Sequence, residues 1–164
     1  MQRRTLLNLV GGLGLSLATA PLAMAADDQI VLSVTNTVTG ATKNYTDADL
    51  LALPQTSFRT STIWTEGVKT FSGPTLKAVL KDADMPAKGL KLYAVNDYNV
   101  PFPVENLHDT APIIANRIDG EPFPLRRKGP LWVIFPFDQA PNFNSEEIFA
   151  LCVWQLNKIS VGGM

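Results

Sequence analysis

Residues 113–136 read "IIANRIDGEPFPLRRKGPLWVIFP". An apolar start reaches the pair Asp119-Gly120, which tolerates the left-handed backbone of a tight corner. A return segment studded with Pro122 and Pro124 follows. Three cations, Arg126, Arg127 and Lys128, then stand before Gly129-Pro130 and the run "LWVIFPF" (131–137), whose near-continuous apolarity predicts a strand covered on both faces. Two readings of the cations follow from their chemistry. Guanidinium forks pair bidentately with phosphate or carboxylate, and Gly129 lets backbone approach closely, which makes an anion clamp. A short charge run between Leu125 and Pro130 is equally the solvated tip of a turn.

Working outward, "IFALCVWQL" (148–156) is a second near-continuous apolar run and predicts another central strand. The Pro/Asn-rich "PFDQAPNFNSEE" between the two runs is a loop suited to the rim of a site. "LKLYAVNDYNVPFP" (90–103) predicts strand, turn and return strand, with Asn96, Asp97 and Asn99 at the corner. In "FSGPTLKAVLKDADMP" (71–86), Pro74 suits a first helical position, and Leu76, Val79, Leu80 and Ala83 form one apolar stripe with Lys77 and Lys81 outside it. "TSFRTSTIW" (56–64) is rich in β-branched and aromatic residues and predicts a strand. "YTDADLLALP" (45–54) predicts a short helix with Thr46 as its cap, Asp47 and Asp49 at its positive end, and Pro54 as its stop. "QIVLSVTNT" (29–37) alternates as a half-wet strand, with Ile30, Leu32 and Val34 on one face. Strands and helices mixed in this way predict an α+β domain.

The first 25 residues have the basic start, apolar stretch and small-residue exit, Ala23-Met24-Ala25, of a cleavable export signal. Gly11, Gly12, Gly14 and Pro21 make that stretch a poor membrane span. Arg3, Arg4 and Thr5 to Leu7 partly match the twin-arginine pattern, so twin-arginine and ordinary secretory export both stay open. The expectation is a periplasmic or otherwise exported protein, with residues 26–164 as one domain and no membrane insertion of the mature chain. Arg3 and Arg4 are the only charges removed, so the 14 basic and 15 acidic side chains become 12 and 15. That mildly acidic balance argues against nucleic acid as a partner. Cys152 is the single cysteine, so the fold rests on an apolar core rather than an internal disulfide.

Taken together, "FSGPTLKAVLKDA", "YAVNDYNVPFPVENL", residues 113–136 and the closing "VWQLNKISV" resemble the molybdopterin-binding domain of the sulfite-oxidase type. The resemblance spans roughly Gln29 to Val161. It implies curved mixed β-sheets with a few short helices, and a cleft that takes molybdopterin. It also implies a cysteine thiolate on molybdenum, placed in or just after the strand preceding FSGPTL. Here that region reads "FRTSTIWTEG", with Ser61 and Thr62 and no sulfur, and thiolate serves such a metal far better than a hydroxyl. Cys152 stands near where the family carries a lysine beside the tryptophan that Trp154 matches. A core role is the commoner one for such a cysteine. "FDQAPNFN" also departs from the family's Gly-rich loop. The resemblance therefore implies molybdopterin as a candidate cofactor and leaves molybdenum doubtful.

The resemblance places Arg126, Arg127 and Lys128 at the mouth of the cleft and Thr62 and Trp64 where the metal anchor would be. Trp64 is expected either to line the vacated pocket or to fill it. Tyr98, after its turn, is a further pocket candidate by analogy. His108, the only histidine, is a proton-transfer candidate beside Glu105 or Asp109, and equally a surface residue. No catalytic residue and no metal ligand is assigned. The leading expectation is a non-catalytic binding or accessory domain for a small anionic ligand, or for an exported or membrane protein partner. Its rivals are a molybdenum-cofactor oxidoreductase and a purely structural module whose cleft its own side chains fill.

Overall fold

The computed structural model describes residues 29–162. The expected export signal lies outside the described residues. Strand β1 (Ile30–Asn36) alternates as its sequence demands, with Leu32 and Val34 fully buried and Ser33 and Thr35 half-exposed. Ile30 is exposed, because the pairing slips between Ile30 and Leu32 and frees it from the inward face. A turn through Gly40 leads to β2 (Thr42–Thr46), a strand whose polar sequence hides it, since only Tyr45 is buried there. Helix α1 (Asp47–Ala52) starts as expected: the Thr46 hydroxyl accepts from the Asp49 N–H, and the Asp49 carboxylate accepts from the Thr46 N–H.

Strand β3 (Gln55–Ser61) stops three residues short of the expected end, so Thr62, Ile63 and Trp64 fall in the loop to β4 (Val68–Pro74). Pro74 therefore closes a strand, paired opposite Gln55, instead of opening a helix. The cap of α2 (Leu76–Asp82) is Thr75, whose hydroxyl accepts from the Ala78 N–H. Its stripe of Leu76, Val79, Leu80 and Ala83 is buried as the spacing requires. Within β4, Gly73 lies so close to the Ile114 carbonyl that any Cβ would overlap it, which lets the two strands cross.

Strands β5 (Leu90–Ala94) and β6 (Asn99–Phe102) form the expected hairpin, with Asp97 in the left-handed region. The expected hairpin over 112–125 is only partly formed. Strands β7 (Ile113–Ala115) and β8 (Arg117–Ile118) join different sheets, and Asp119-Gly120 turns the chain onto one bridge, Ile118 to Glu121. Strand β9 (Trp132–Ile134) is fully buried but pairs with β7 in a two-stranded sheet, so it is not the central strand the apolar run implied.

The run 148–156 is the larger departure. It is not a strand: helix α3 (Glu146–Ala150) carries its start, and residues 151–155 are irregular. The Ser145 hydroxyl accepts from the Ile148 N–H, and Glu146 and Glu147 sit at the positive helix end, so local capping overrides the strand-like composition. The central strand is β10 (Leu156–Val161), parallel to β1 and antiparallel to β5, in a sheet ordered β2-β1-β10-β5-β6. A second sheet is ordered β3-β4-β8. One core, including Phe71, Trp132, Phe135 and Leu92, lies between the sheets. Each such side chain contributes about 1.5–3 kcal/mol by burial. The molecule is the mixed α+β domain of several sheets and few short helices that the sequence leads one to expect. Among the described residues no helix is long and apolar enough to cross a membrane.

Candidate functional site

The three cations sit on a rigid turn. Residues 125–127 form one 3-10 turn, and Lys128, in the left-handed region, closes it by donating its N–H to the Leu125 carbonyl at 3.1 Å. Gly129 follows because a Cβ there would overlap the Phe123 carbonyl. Gln155 locks the turn from the opposite segment: its N–H donates to the Lys128 carbonyl at 2.9 Å and its side-chain amide to the Leu125 carbonyl at 2.8 Å. Gln155 is itself in the left-handed region, so two non-glycine residues hold an uncommon backbone at one contact. With the backbone so held, Arg126 and Arg127 are exposed and Lys128 is half-buried. Among the described residues none of the three forms an ion pair.

Trp64 is held from the other direction by the β3–β4 loop. Thr62 accepts from the Trp64 N–H at 3.1 Å, and its hydroxyl meets that of Thr65 at 2.8 Å. The indole packs nearly edge-on against Trp132, Phe149 and Trp154, with ring centroids 5.7–5.8 Å apart. It neither fills the cleft nor lies apart from it. Trp64 is the residue shared by the walls of two cavities, of about 480 Å³ and about 290 Å³.

The larger cavity takes Arg126, Arg127 and Lys128 in its wall, with Lys69 and the rings of Phe123 and Trp132. Lys69 pairs with Asp119 at 3.0 Å, which leaves Glu121 as the carboxylate facing three cations. The Trp132 indole N–H is buried and has no acceptor among the described residues. Such a donor costs about 1–3 kcal/mol unless an acceptor reaches it. The smaller cavity is of another kind: Trp64, Tyr98, Phe149 and Trp154 surround it, with Asn96 and Cys152, and no charged side chain lines it.

The expected site residues therefore divide. Trp64 joins Arg126, Arg127 and Lys128 in one cavity, whereas Tyr98 belongs to the other. Thr62 lines neither of these and positions Trp64 through the backbone; it faces a recess beside Ser61 and Asp138. Sequence reading singled out neither Lys69 nor Phe123, and did not assign Trp132, Phe149 or Trp154 to a cavity wall. His108 packs against Phe143 in a separate recess, and its neighbour Asp109 is taken by Lys77 at 2.7 Å.

The chemistry expected of a metal anchor is met elsewhere by other bonds. The Ser61 N–H and hydroxyl donate to the Asp138 carboxylate at 2.6 and 2.7 Å, tying the end of β3 to the loop after β9. These bonds, the backbone one first, hold the Asp138 carboxyl below the usual carboxylate range. Cys152 is not in a strand but in the irregular segment after α3, and it is buried; its thiol donates to the Ile148 carbonyl at 3.4 Å. Burial pushes that thiol up, away from thiolate. It lies in the wall of the aromatic cavity, not the cationic one.

No family model matches the chain, and neither does any curated protein. Among solved structures it is similar to the sulfane dehydrogenase SoxCD from Paracoccus pantotrophus, at 19% identity and a TM-score of 0.59 over 85% of this chain. The chain spans 39% of that protein's length. At that identity the likeness is one of fold. The walls of the larger cavity suit the phosphate of a pterin cofactor, through three free cations. They do not suit its metal, because no thiol is in reach of them and the hydroxyl of Ser61 is already engaged.

Proposed function

We propose that this protein is an exported binding or accessory domain that takes a small anionic ligand in its cationic cavity. The observation that supports this reading most is the convergence of Arg126, Arg127 and Lys128, without ion-pair partners among the described residues, on a 480 Å³ cavity floored by aromatic rings. Charge-assisted bonds from such groups contribute about 1.5–3 kcal/mol each. The locked turn presents them with little ordering left to do on binding. The scaffold is read as that of a molybdopterin-binding domain, with the phosphate-holding part retained and the metal thiolate lost.

Calorimetric titration with pyrophosphate, which stands for the phosphate end of such a ligand, tests the clamp. Wild-type protein is expected to bind it. Joint replacement Arg126→Gln, Arg127→Gln and Lys128→Gln is expected to weaken binding at least about a hundredfold. Arg126 and Arg127 are exposed and Lys128 is half-buried over the Trp154 ring, so the melting temperature should fall by no more than about a few degrees. Unchanged affinity in the triple variant rejects the clamp, as does failure of the wild-type protein to bind.

A second reading, a molybdenum-cofactor oxidoreductase, is favoured by the fold likeness to a sulfane dehydrogenase. Molybdenum analysis and pterin fluorescence of protein isolated from its own compartment separate the two. About one molybdenum per chain supports the oxidoreductase; pterin or another anion without metal supports the binding domain.

A further inference from the structure

The smaller cavity serves no role in the anion reading. Its walls are the rings of Trp64, Tyr98, Phe149 and Trp154, and no charged side chain is among them. Trp64 meets Trp154 at 73° and Phe149 at 83°, with centroids 5.7 and 5.8 Å away. A flat heterocycle is gripped between two parallel faces. Rings set near a right angle around one uncharged cavity instead offer aromatic surface from more than one direction, which suits a rounded cation better than a flat heterocycle. The chain already uses one of these rings in that way: Lys128 Nζ lies 4.6 Å from the centroid of Trp154. Lys128 itself is not in the cavity wall.

We propose that this second cavity is an aromatic box for a quaternary or fully methylated ammonium group. A primary ammonium keeps its water and resists entry, whereas an onium group carries charge on an apolar surface and loses little by leaving water. With about 290 Å³ the cavity has room for a trimethylammonium head, and its mouth is marked by Tyr98, 56% exposed, and Trp154, 37% exposed. The side chain of Asn96 is the polar group on the wall and accepts from the Tyr98 N–H at 3.3 Å, which braces the turn that carries Tyr98. The proposal does not depend on the anion reading, since Tyr98, Phe149 and Trp154 are absent from the cationic cavity.

The test is a titration of the full domain with choline, set against its uncharged isostere 3,3-dimethylbutan-1-ol, followed by tryptophan indole N–H signals. Choline is expected to bind saturably and at least about tenfold more tightly than the isostere, the share that cation–π attraction supplies. Tyr98→Ala, at an exposed position, should lower choline affinity about fivefold while leaving pyrophosphate affinity and the melting temperature unchanged. Lys128→Met should raise choline affinity about threefold by removing a like charge, and should lower pyrophosphate affinity. Equal affinity for choline and isostere, no saturable response to choline, or a Tyr98→Ala variant that binds choline normally would each overturn the box. Loss of pyrophosphate binding alone would overturn only the anion reading.

Discussion

Two cavities share the ring of Trp64 and little else. One presents three cations on a turn held by its own backbone bonds, by Gly129, by left-handed Lys128 and by Gln155; the other presents four aromatic rings and a buried thiol. The contrast separates two properties that a metal-binding cleft would have to combine, a grip on anionic oxygen and a sulfur ligand. Here the sulfur is on the aromatic side, protonated by burial, and the charge is on the other. The division by Trp64 is thus the physical basis of the binding-domain proposal.

The largest effect should come from removing the shared wall. Trp64→Ala strips four aromatic contacts, three of them nearly edge-on, from a half-buried ring and is expected to cost about 2–3 kcal/mol in urea unfolding. It should also weaken both pyrophosphate and choline, since the cavities would merge. A variant that loses only one ligand would show that Trp64 is not common to both. Next in size, Gln155→Ala removes the amide that holds the Leu125 carbonyl. About 1 kcal/mol of stability should go with it, and pyrophosphate affinity should fall severalfold although no charge has changed. Retained affinity would mean that the turn needs no outside lock.

The smallest effect concerns the clasp behind Trp64. Asp138 has its carboxyl depressed by the Ser61 N–H and hydroxyl, so its contribution to stability is fully present above the ordinary carboxylate value near about 4 and is lost as pH falls through the lower folded value. Urea midpoints measured across that acid range should decline more steeply for wild type than for Asp138→Asn. Parallel curves would deny the clasp a role.

How much of this was legible in the sequence depends on whether the cause was local. The cap at Thr46, the corners at Asp97 and Asp119-Gly120 and the cation turn between Leu125 and Pro130 are set by neighbours in the chain and stand where the residues predict, whereas the Thr75 cap replaces the helix start expected at Pro74. Helix α3 was masked because the apolar run 148–156 outweighed a signal that was present, Ser145 followed by two glutamates. The identity of the central strand was hidden for a different reason. Trp132–Ile134 is buried throughout, whereas Leu156–Val161 carries exposed Asn157 and Lys158, so apolarity pointed to the wrong strand and only non-local pairing decides which one lies mid-sheet. The site shows the same limit: Tyr98 and Thr62 sit on segments that do approach the cleft, but the direction of a side chain at a turn depends on what packs behind it. Chain order gave the neighbourhood and could not separate the two cavities.

The most direct test uses the fact that all three tryptophans, Trp64, Trp132 and Trp154, lie here, one in both cavities, one in the cationic wall and one in the aromatic wall. Their indole N–H signals, recorded while pyrophosphate and then choline are added, read the division residue by residue. Pyrophosphate should shift Trp132 and Trp64, whereas choline should shift Trp154 and Trp64 and leave Trp132 in place. Trp132 following choline, or both ligands moving the same set of indoles, would contradict two separate sites.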